Sequence, residues 1–581
     1  MARRGLAVVF TLIGVALVVS IAGFALLYLI ASRQPAVPAG SVLVLRVGGD
    51  LAEIASADVV GYLRGGKTPT VRSIVDNLRK AKIDSRISAV LLKPTGFNSP
   101  YWGKVQEIRD AVLEFKKSGK PVYAYLEYGG DREYYLATAA DKIFLLPSSS
   151  LDLSGIATYS LFLRGTLDKI GAYPDLHHIG DYKTASNAFT EKGYTAAHKA
   201  MDESLNRDLY EQLVRGIADG RRKSEADIRK LFDDGPFLPE NALRLGLVDD
   251  VAYLDQVDEK AKGRRVEGED YARVSAASVG LNRGPRVAVI YAAGTINGGK
   301  SGYDPVNGAI AGSDTLIEYI RQVRRDTSIQ AVVIRIDSPG GSAPASDAIW
   351  RELMITRGER PLIASMSDLA ASGGYYIAMP AHVIVAQPST LTGSIGIFGG
   401  KIVTGGVYEK LGARIDSTSI GRHAEINSPV RKYNAEERAK VQEQLQAFYD
   451  QFVEKVAEAR HSQPEKIDAL AQGRVWTGRQ AKENGLVDQL GGLDQAIAVA
   501  KQRAKIPAER EVQLVEYPPR KGFYELLSEQ FTGSGDQMAV GAWLASNFTR
   551  GELDALRVVR GPMAIFRRGE LLALMPFTFV R

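Results

Sequence analysis

The chain repeats itself. EYYLATAADKIFLLPSSSLDLSGI (Glu133 to Ile156) lies against GYYIAMPAHVIVAQPSTLTGSIGI (Gly374 to Ile397) at a constant offset of 241 residues. The register holds without gaps through Leu167–Gly171 opposite Tyr408–Gly412, and on to Gly180 opposite Gly421. Upstream, Ile87–Val90 matches Ile329–Val332 with one residue of slippage; downstream, Gly246–Asp249 matches Gly485–Asp488. Any fold must therefore be built twice. The halves run from about 41 to 262 and from about 285 to 505, joined by the polar, Gly-containing stretch Arg264–Gly284. A tail, 506–581, has no counterpart in the repeat, and its apolar runs Met563–Phe566 and Leu571–Val580 are too short to span a membrane.

Within the first half, strand-like and helix-like segments alternate. Ser41–Val47, Ala89–Leu92 and Val122–Leu126 read as strands; Ile74–Lys82 and Val105–Lys117 read as helices. Such alternation predicts an α/β unit around a largely parallel sheet. A long charged helix follows the Gly-rich turn of each half, Thr195–Gly220 and Ala435–Arg460, with apolar positions at helical spacing. Each is expected to pack on the other half or on another subunit, or to lie at the surface.

Leu6 to Ala31 is almost wholly apolar and uncharged, longer than the roughly 20 residues that cross a bilayer. The run is too long for the core of a cleavable signal peptide. Residues 1–35 are therefore expected to be an uncleaved anchor, with Arg3 and Arg4 on the cytoplasmic side. The chain has no cysteine, which excludes disulfides, thiol nucleophiles and Cys-based zinc sites. Its charge of +6 is scattered, with no basic stripe interleaved with aromatics, so nucleic acid is not an expected partner. The Gly clusters match no phosphate-binding loop, and no His/carboxylate spacing marks a metal; no cofactor is expected.

The repeat is most informative where it breaks. In the second half Ser372-Gly373-Gly374 opens an apolar helical run, and DSPGGS (Asp337–Ser342) follows a strand. The first half has Asp131-Arg132-Glu133 and Lys93–Asn98 (KPTGFN) at these places. Conversely, Lys183 in Gly180-Asp181-Tyr182-Lys183-Thr184-Ala185 faces Ala424. Each half carries what the other lacks, as expected if a duplicated unit had both groups and the copies divided them; drift could give the same pattern. A serine ahead of two glycines at a helix start is either a nucleophile beside backbone donors or a helix cap.

A Ser–Lys pair is coherent chemistry, because the hydroxyl needs a base within hydrogen-bond reach. At the reference pKa, roughly one lysine in a few thousand is neutral at pH 7. Lys183 as a base thus requires a closed, apolar cleft between the halves. Backbone N–H groups of Gly373 and of Gly340 or Gly341 are the candidate oxyanion donors. Ser394 is either the hydroxyl that orients the lysine or a turn serine. His177, His178, His382 and His423 lie in no triad-like motif.

SMSDLAASGGYYIA, PSTLTGSIGIF, DSPGGS and GDYKTA together resemble the long, tandem-repeat form of the signal peptide peptidase A (protease IV) family, serine peptidases of family S49. The resemblance covers about residues 41–505 plus the anchor. It implies two ClpP/crotonase-type α/β repeats, with Ser372 as nucleophile, Lys183 as general base and Ser394 assisting it. It also implies a homotetramer in the bacterial cytoplasmic membrane, single-pass with its catalytic part in the periplasm, degrading cleaved signal peptides and other apolar peptides. Thr184 and Ser367 stand where serine and glycine are usual. An acyl-CoA enzyme of crotonase type and an inert membrane scaffold are the competing readings.

Overall fold

The computed structural model describes residues 35–54, 69–304, 308–519, 571–576 and 579–580, with isolated positions 14, 15, 18, 19 and 23. The expected anchor over Leu6–Ala31 falls almost wholly outside them. Among the described residues no helix is long and apolar enough to cross a membrane.

Each half is built on a largely parallel sheet. The first has six strands in the order Arg265–Glu267, Ser41–Gly49, Ile87–Phe97, Val122–Leu126, Lys142–Leu145, Asp250–Val251, every pair parallel. Parallel neighbours need crossovers. Helices Val71–Ile83, Gly103–Lys116 and Asp131–Ala137 supply them. In the second half Gln513–Tyr517, Arg286–Ala293, Ile329–Ser338 and Leu362–Ala371 run parallel in that order. Val383–Ala386 and Leu391–Gly393 both continue on Leu362–Ala371. The central strands are mostly apolar because both faces are covered; all ten positions of Leu362–Ala371 are buried.

The repeat is visible element by element. Helix Asp131–Ala137 and strand Lys142–Leu145 stand where Gly373–Ala378 and Val383–Ala386 stand in the second half. Two segments differ from their sequence reading. Arg265–Glu267 lies in the joint between halves yet pairs with the first strand of its own half. Gln513–Tyr517, in the tail, does the same for the second half, so this part of the tail has a structural counterpart after all. Short edge strands bury little and carry few side-chain constraints, so nothing in their sequence marks them as equivalent.

A third sheet crosses the molecule. Strand Tyr173–Ile179 of the first half pairs antiparallel with Ile397–Val403 of the second, from Tyr173 opposite Val403 to Ile179 opposite Ile397. The long helices reinforce this junction. On Ala196–Arg221, Asp208 accepts from Thr477 and Arg479 of the other half. Beside Ala435–Ala459, the Tyr433 backbone N–H donates to Asp175 at 2.7 Å, and Arg438 pairs with the same carboxylate. A buried ionic cluster also joins the halves. Arg335, 1% exposed, donates to Glu53 at 2.8 and 3.0 Å and to Glu107 at 2.6 Å.

Candidate active site

Ser372 stands at the sharp exit of the central strand Leu362–Ala371, immediately before helix Gly373–Ala378. Its φ of 55° and ψ of −111° are a conformation that favours glycine. Such strain persists only when the surroundings over-determine it. Here the Ser372 N–H donates to Gly393 O at 2.8 Å, and Tyr376 N–H donates to Ser372 O at 2.8 Å. The following glycines are demanded by space: a Cβ on Gly373 would lie 2.7 Å from Ser346 Oγ, and one on Gly374 2.7 Å from Ser338 O. Ser372 occupies the cap position of the helix, but its side chain makes no capping bond.

Its partner is Lys183. The lysine follows strand Tyr173–Ile179, so the pairing of that strand with Ile397–Val403 carries it across the junction. Lys183 Nζ lies 2.7 Å from Ser372 Oγ, 3.0 Å from Ser394 O and 3.1 Å from Ser394 Oγ. All three residues are fully buried. Burial lowers the Lys183 pKa well below the ordinary ammonium range, and no carboxylate offsets it. Ser394, at φ 48°, is held by its own N–H donating to Arg474 O at 2.7 Å.

Sequence reasoning missed the groups that seat the lysine. A Cβ on Gly473 would fall 2.5 Å from the Lys183 N, Cα and Cβ, and one on Gly396 3.2 Å from its Cδ. Gly180, before the lysine, meets Gln472 as closely, and Tyr182 N–H donates to Gln472 O at 2.9 Å. The Gly473 in Gln472-Gly473-Arg474 looks like any turn glycine in the sequence; its partner is almost 300 residues away.

The glycine pair of DSPGGS lies beside the serine. A Cβ on Gly340 would be 2.7 Å from the Gly373 amide nitrogen, so the two backbones converge. Gly340 N–H donates to Ser338 Oγ at 3.1 Å. Gly341 is paired with Ala573 of the tail. Asp337 receives Lys104 of the first half at 2.6 Å and the Leu369 N–H at 3.2 Å, which ties the glycine loop to the strand bearing Ser372.

The histidines stay apart from this group. His177 faces Asp175, His178 Nδ1 contacts Gly180 O, and the Leu362 N–H donates to His382 Nδ1. His423 lies nearest Glu436 at 3.8 Å. Among the described residues of the first half no second Ser–Lys pair forms. Asp131 replaces the serine and accepts from the Ser154 N–H, while Ala424, the counterpart of Lys183, is exposed. Among the described residues no His/Asp/Glu group could hold a metal ion.

The chain has relatives that align along most of its length. The sequence is 36% identical over 538 residues to the serine protease SPPA, chloroplastic, of Arabidopsis thaliana, covering 90% of this chain and 77% of that one. It is 34% identical over 514 residues to Protease 4 of Salmonella typhi, covering 84% and 82%. Among solved structures, ClpP1 from Listeria monocytogenes matches 36% of this chain and 94% of its own at 16% identity, with a TM-score of 0.22. The profile of peptidase family S49 matches twice, over residues 114–266 and 355–507, once in each half. With a match in each repeat and relatives aligned along most of its length, the chain belongs to peptidase family S49 and is a serine peptidase.

Proposed function

We propose that the protein is a membrane-anchored endopeptidase with a Ser372–Lys183 dyad, acting on cleaved signal peptides and other apolar peptides. The observation that carries the reading is the 2.7 Å approach of Lys183 Nζ to Ser372 Oγ in a fully buried setting. A neutral amine has two N–H bonds and one lone pair. Ser394 O can only accept, so it takes one N–H. The second N–H goes to Ser394 Oγ, which leaves the lone pair for the Ser372 hydroxyl. Ser372 Oγ then attacks the scissile carbonyl as its proton passes to Lys183. The tetrahedral oxyanion is stabilised by backbone N–H groups of Gly373 and of the Gly340–Gly341 turn. The lysine returns the proton to the departing amine. Water, deprotonated by the same lysine, releases the acyl group and regenerates Ser372.

The ClpP/crotonase-type fold, the inner-membrane location with a periplasmic catalytic part, and the tetramer belong to the same reading. The apolar run Leu6–Ala31 supports the anchor. The repeat supports head-to-tail assembly. Residues 414–420, equivalent to strand Tyr173–Ile179, form no strand and expose Ile415 and Ile420. The same antiparallel pairing could join them to residues 156–162 of a second copy, and closure of such contacts gives a ring. Sedimentation in detergent counts the copies.

The test is hydrolysis of an apolar peptide ester or amide, in detergent and across pH, by wild type, Ser372→Ala and Lys183→Ala. Both variants are expected to lose about 10³-fold or more in kcat, as removal of members of such a unit does. The wild-type rate is expected to rise with pH through the lowered Lys183 pKa. Full activity in Lys183→Ala would remove the lysine from the mechanism.

A further inference from the structure

One strand of the crossing sheet comes from the tail. Leu572–Leu574 lies between Gly340–Ser342 and Ile397–Val403, antiparallel to both. Leu572 faces Ser342 on one side and Phe398 on the other. Ala343 N–H donates to Leu571 O at 3.1 Å, and Met575 N–H donates to Pro339 O at 2.9 Å. The tail segment thus runs along Pro339–Ala343. The Ala573 carbonyl oxygen lies 2.0 Å from the position of a Cβ on Gly340 and 3.2 Å from that of one on Gly373. It points into the convergence of glycine backbones that the mechanism assigns to the oxyanion.

The side chains are seated as well. Leu572 and Leu574 share an apolar cluster with Leu176 and Phe189 of the first half and Phe398 of the second. Met575 enters another, with Met201 of the first half and Leu391 and Val475 of the second. Residues 572 to 575 are at most 2% exposed, as buried as the dyad beside them. The chain does not end in the cleft: Phe579 and Val580 pair with Tyr159 and Thr158 further on.

Without this strand, Gly340–Ser342 and Ile397–Val403 would face each other as two sheet edges one strand apart. Such a slot takes one extended peptide, held by main-chain bonds and sorted by alternate side chains. We propose that Leu571–Met575 is a resident occupant of the peptide-binding cleft, which a substrate must displace to reach Ser372. This rests on the reading of Ser372 and Lys183 as the reacting pair. Because the occupant is tethered, it competes at a high effective concentration. The protein is thereby restrained by its own tail, and only a peptide that fills the same two apolar clusters opens it.

Two measurements on the full chain in detergent test this. In L572D/L574D the occupant loses its apolar seats. KM for an apolar peptide is expected to fall by about tenfold, the factor for a cleft free about one-tenth of the time, with kcat unchanged. An unchanged KM, or a folded variant that has lost activity, would overturn the proposal. The second measurement is amide hydrogen exchange on Ser372→Ala, which needs no turnover. Saturation with a Leu/Ala-rich nonapeptide is expected to expose the Met575 amide while the Ala343 amide stays protected, because the incoming strand takes over as its acceptor. A Met575 amide that remains protected at any peptide concentration shows a permanent structural strand and overturns the proposal. If the wild type cleaves no peptide while the exchange swap still occurs, the peptidase reading fails and the occupied cleft stands.

Discussion

Ser372 and Lys183 are both held in states they would not adopt alone. The serine has a strained backbone, at a cost of about 1–3 kcal/mol. Burial favours the neutral form of the lysine by lowering its pKa. Its folded pKa lies below that of the unfolded chain, so between the two values the unfolded state binds the extra proton. Stability therefore rises with pH across that window. Lys183→Met keeps the length of the side chain and removes the charge. It is expected to raise the melting temperature relative to wild type, most at the lower end of the window, with the gain vanishing near the ordinary lysine pKa. Thermal unfolding at a series of pH values checks this. A gain independent of pH would mean that the lysine is not neutral in the folded protein.

Among the elements, the decisive one is the antiparallel pair Tyr173–Ile179 with Ile397–Val403, because it delivers Lys183 to the other half. The turn Gln472–Gly473 then closes over the lysine. Gly473 has φ of 78° and no room for a side chain against Lys183. Gly473→Ala combines a left-handed backbone cost of about 1–2 kcal/mol with overpacking of about 1–3 kcal/mol. It is expected to lower kcat by at least about tenfold, the factor of 1.4 kcal/mol, by shifting the lysine off Ser372. The serine itself should still react with a fluorophosphonate, more slowly. Single-turnover labelling beside steady-state kinetics checks it; wild-type kcat would show that the turn does not seat the lysine.

At the scale of the whole molecule, two cores are fastened by the crossing sheet and by the Arg335–Glu53–Glu107 cluster. Burial pushes the Glu53 carboxyl up, but the Arg335 guanidinium, with Lys104 and the Ser367 hydroxyl, outweighs that and holds its pKa below the usual range. Glu53 thus contributes stability above its unfolded pKa, lost as pH falls through the folded one. Arg335→Met leaves two buried carboxylates without their guanidinium partner, a loss of about 3–5 kcal/mol. Urea unfolding near pH 7 is expected to show it. A smaller loss, below about 1 kcal/mol, would mean that water reaches the cluster.

Much of the fold is legible in the sequence alone. Strand Val122–Leu126 occurs at the boundaries read from the sequence, and both long helices start within a residue of theirs. Apolar runs of a buried parallel sheet and the helical period are local signals, and the repeat doubled each of them. The asymmetry between the halves singled out Ser372 and Lys183, because a residue type lost in one copy and kept in the other is visible by comparison within one chain. Tertiary structure alone decided which groups meet. Gly473 meets Lys183, Gln472 meets Gly180 and Tyr182, Lys104 meets Asp337, and Ala573 meets Gly340, each pair far apart in sequence. Such contacts leave no periodic trace, since they depend on how two finished sheets dock rather than on how either one forms. The tail is the clearest case: LLALM is only a short apolar run in the sequence, and the two open edges beside Ser372 make it a strand.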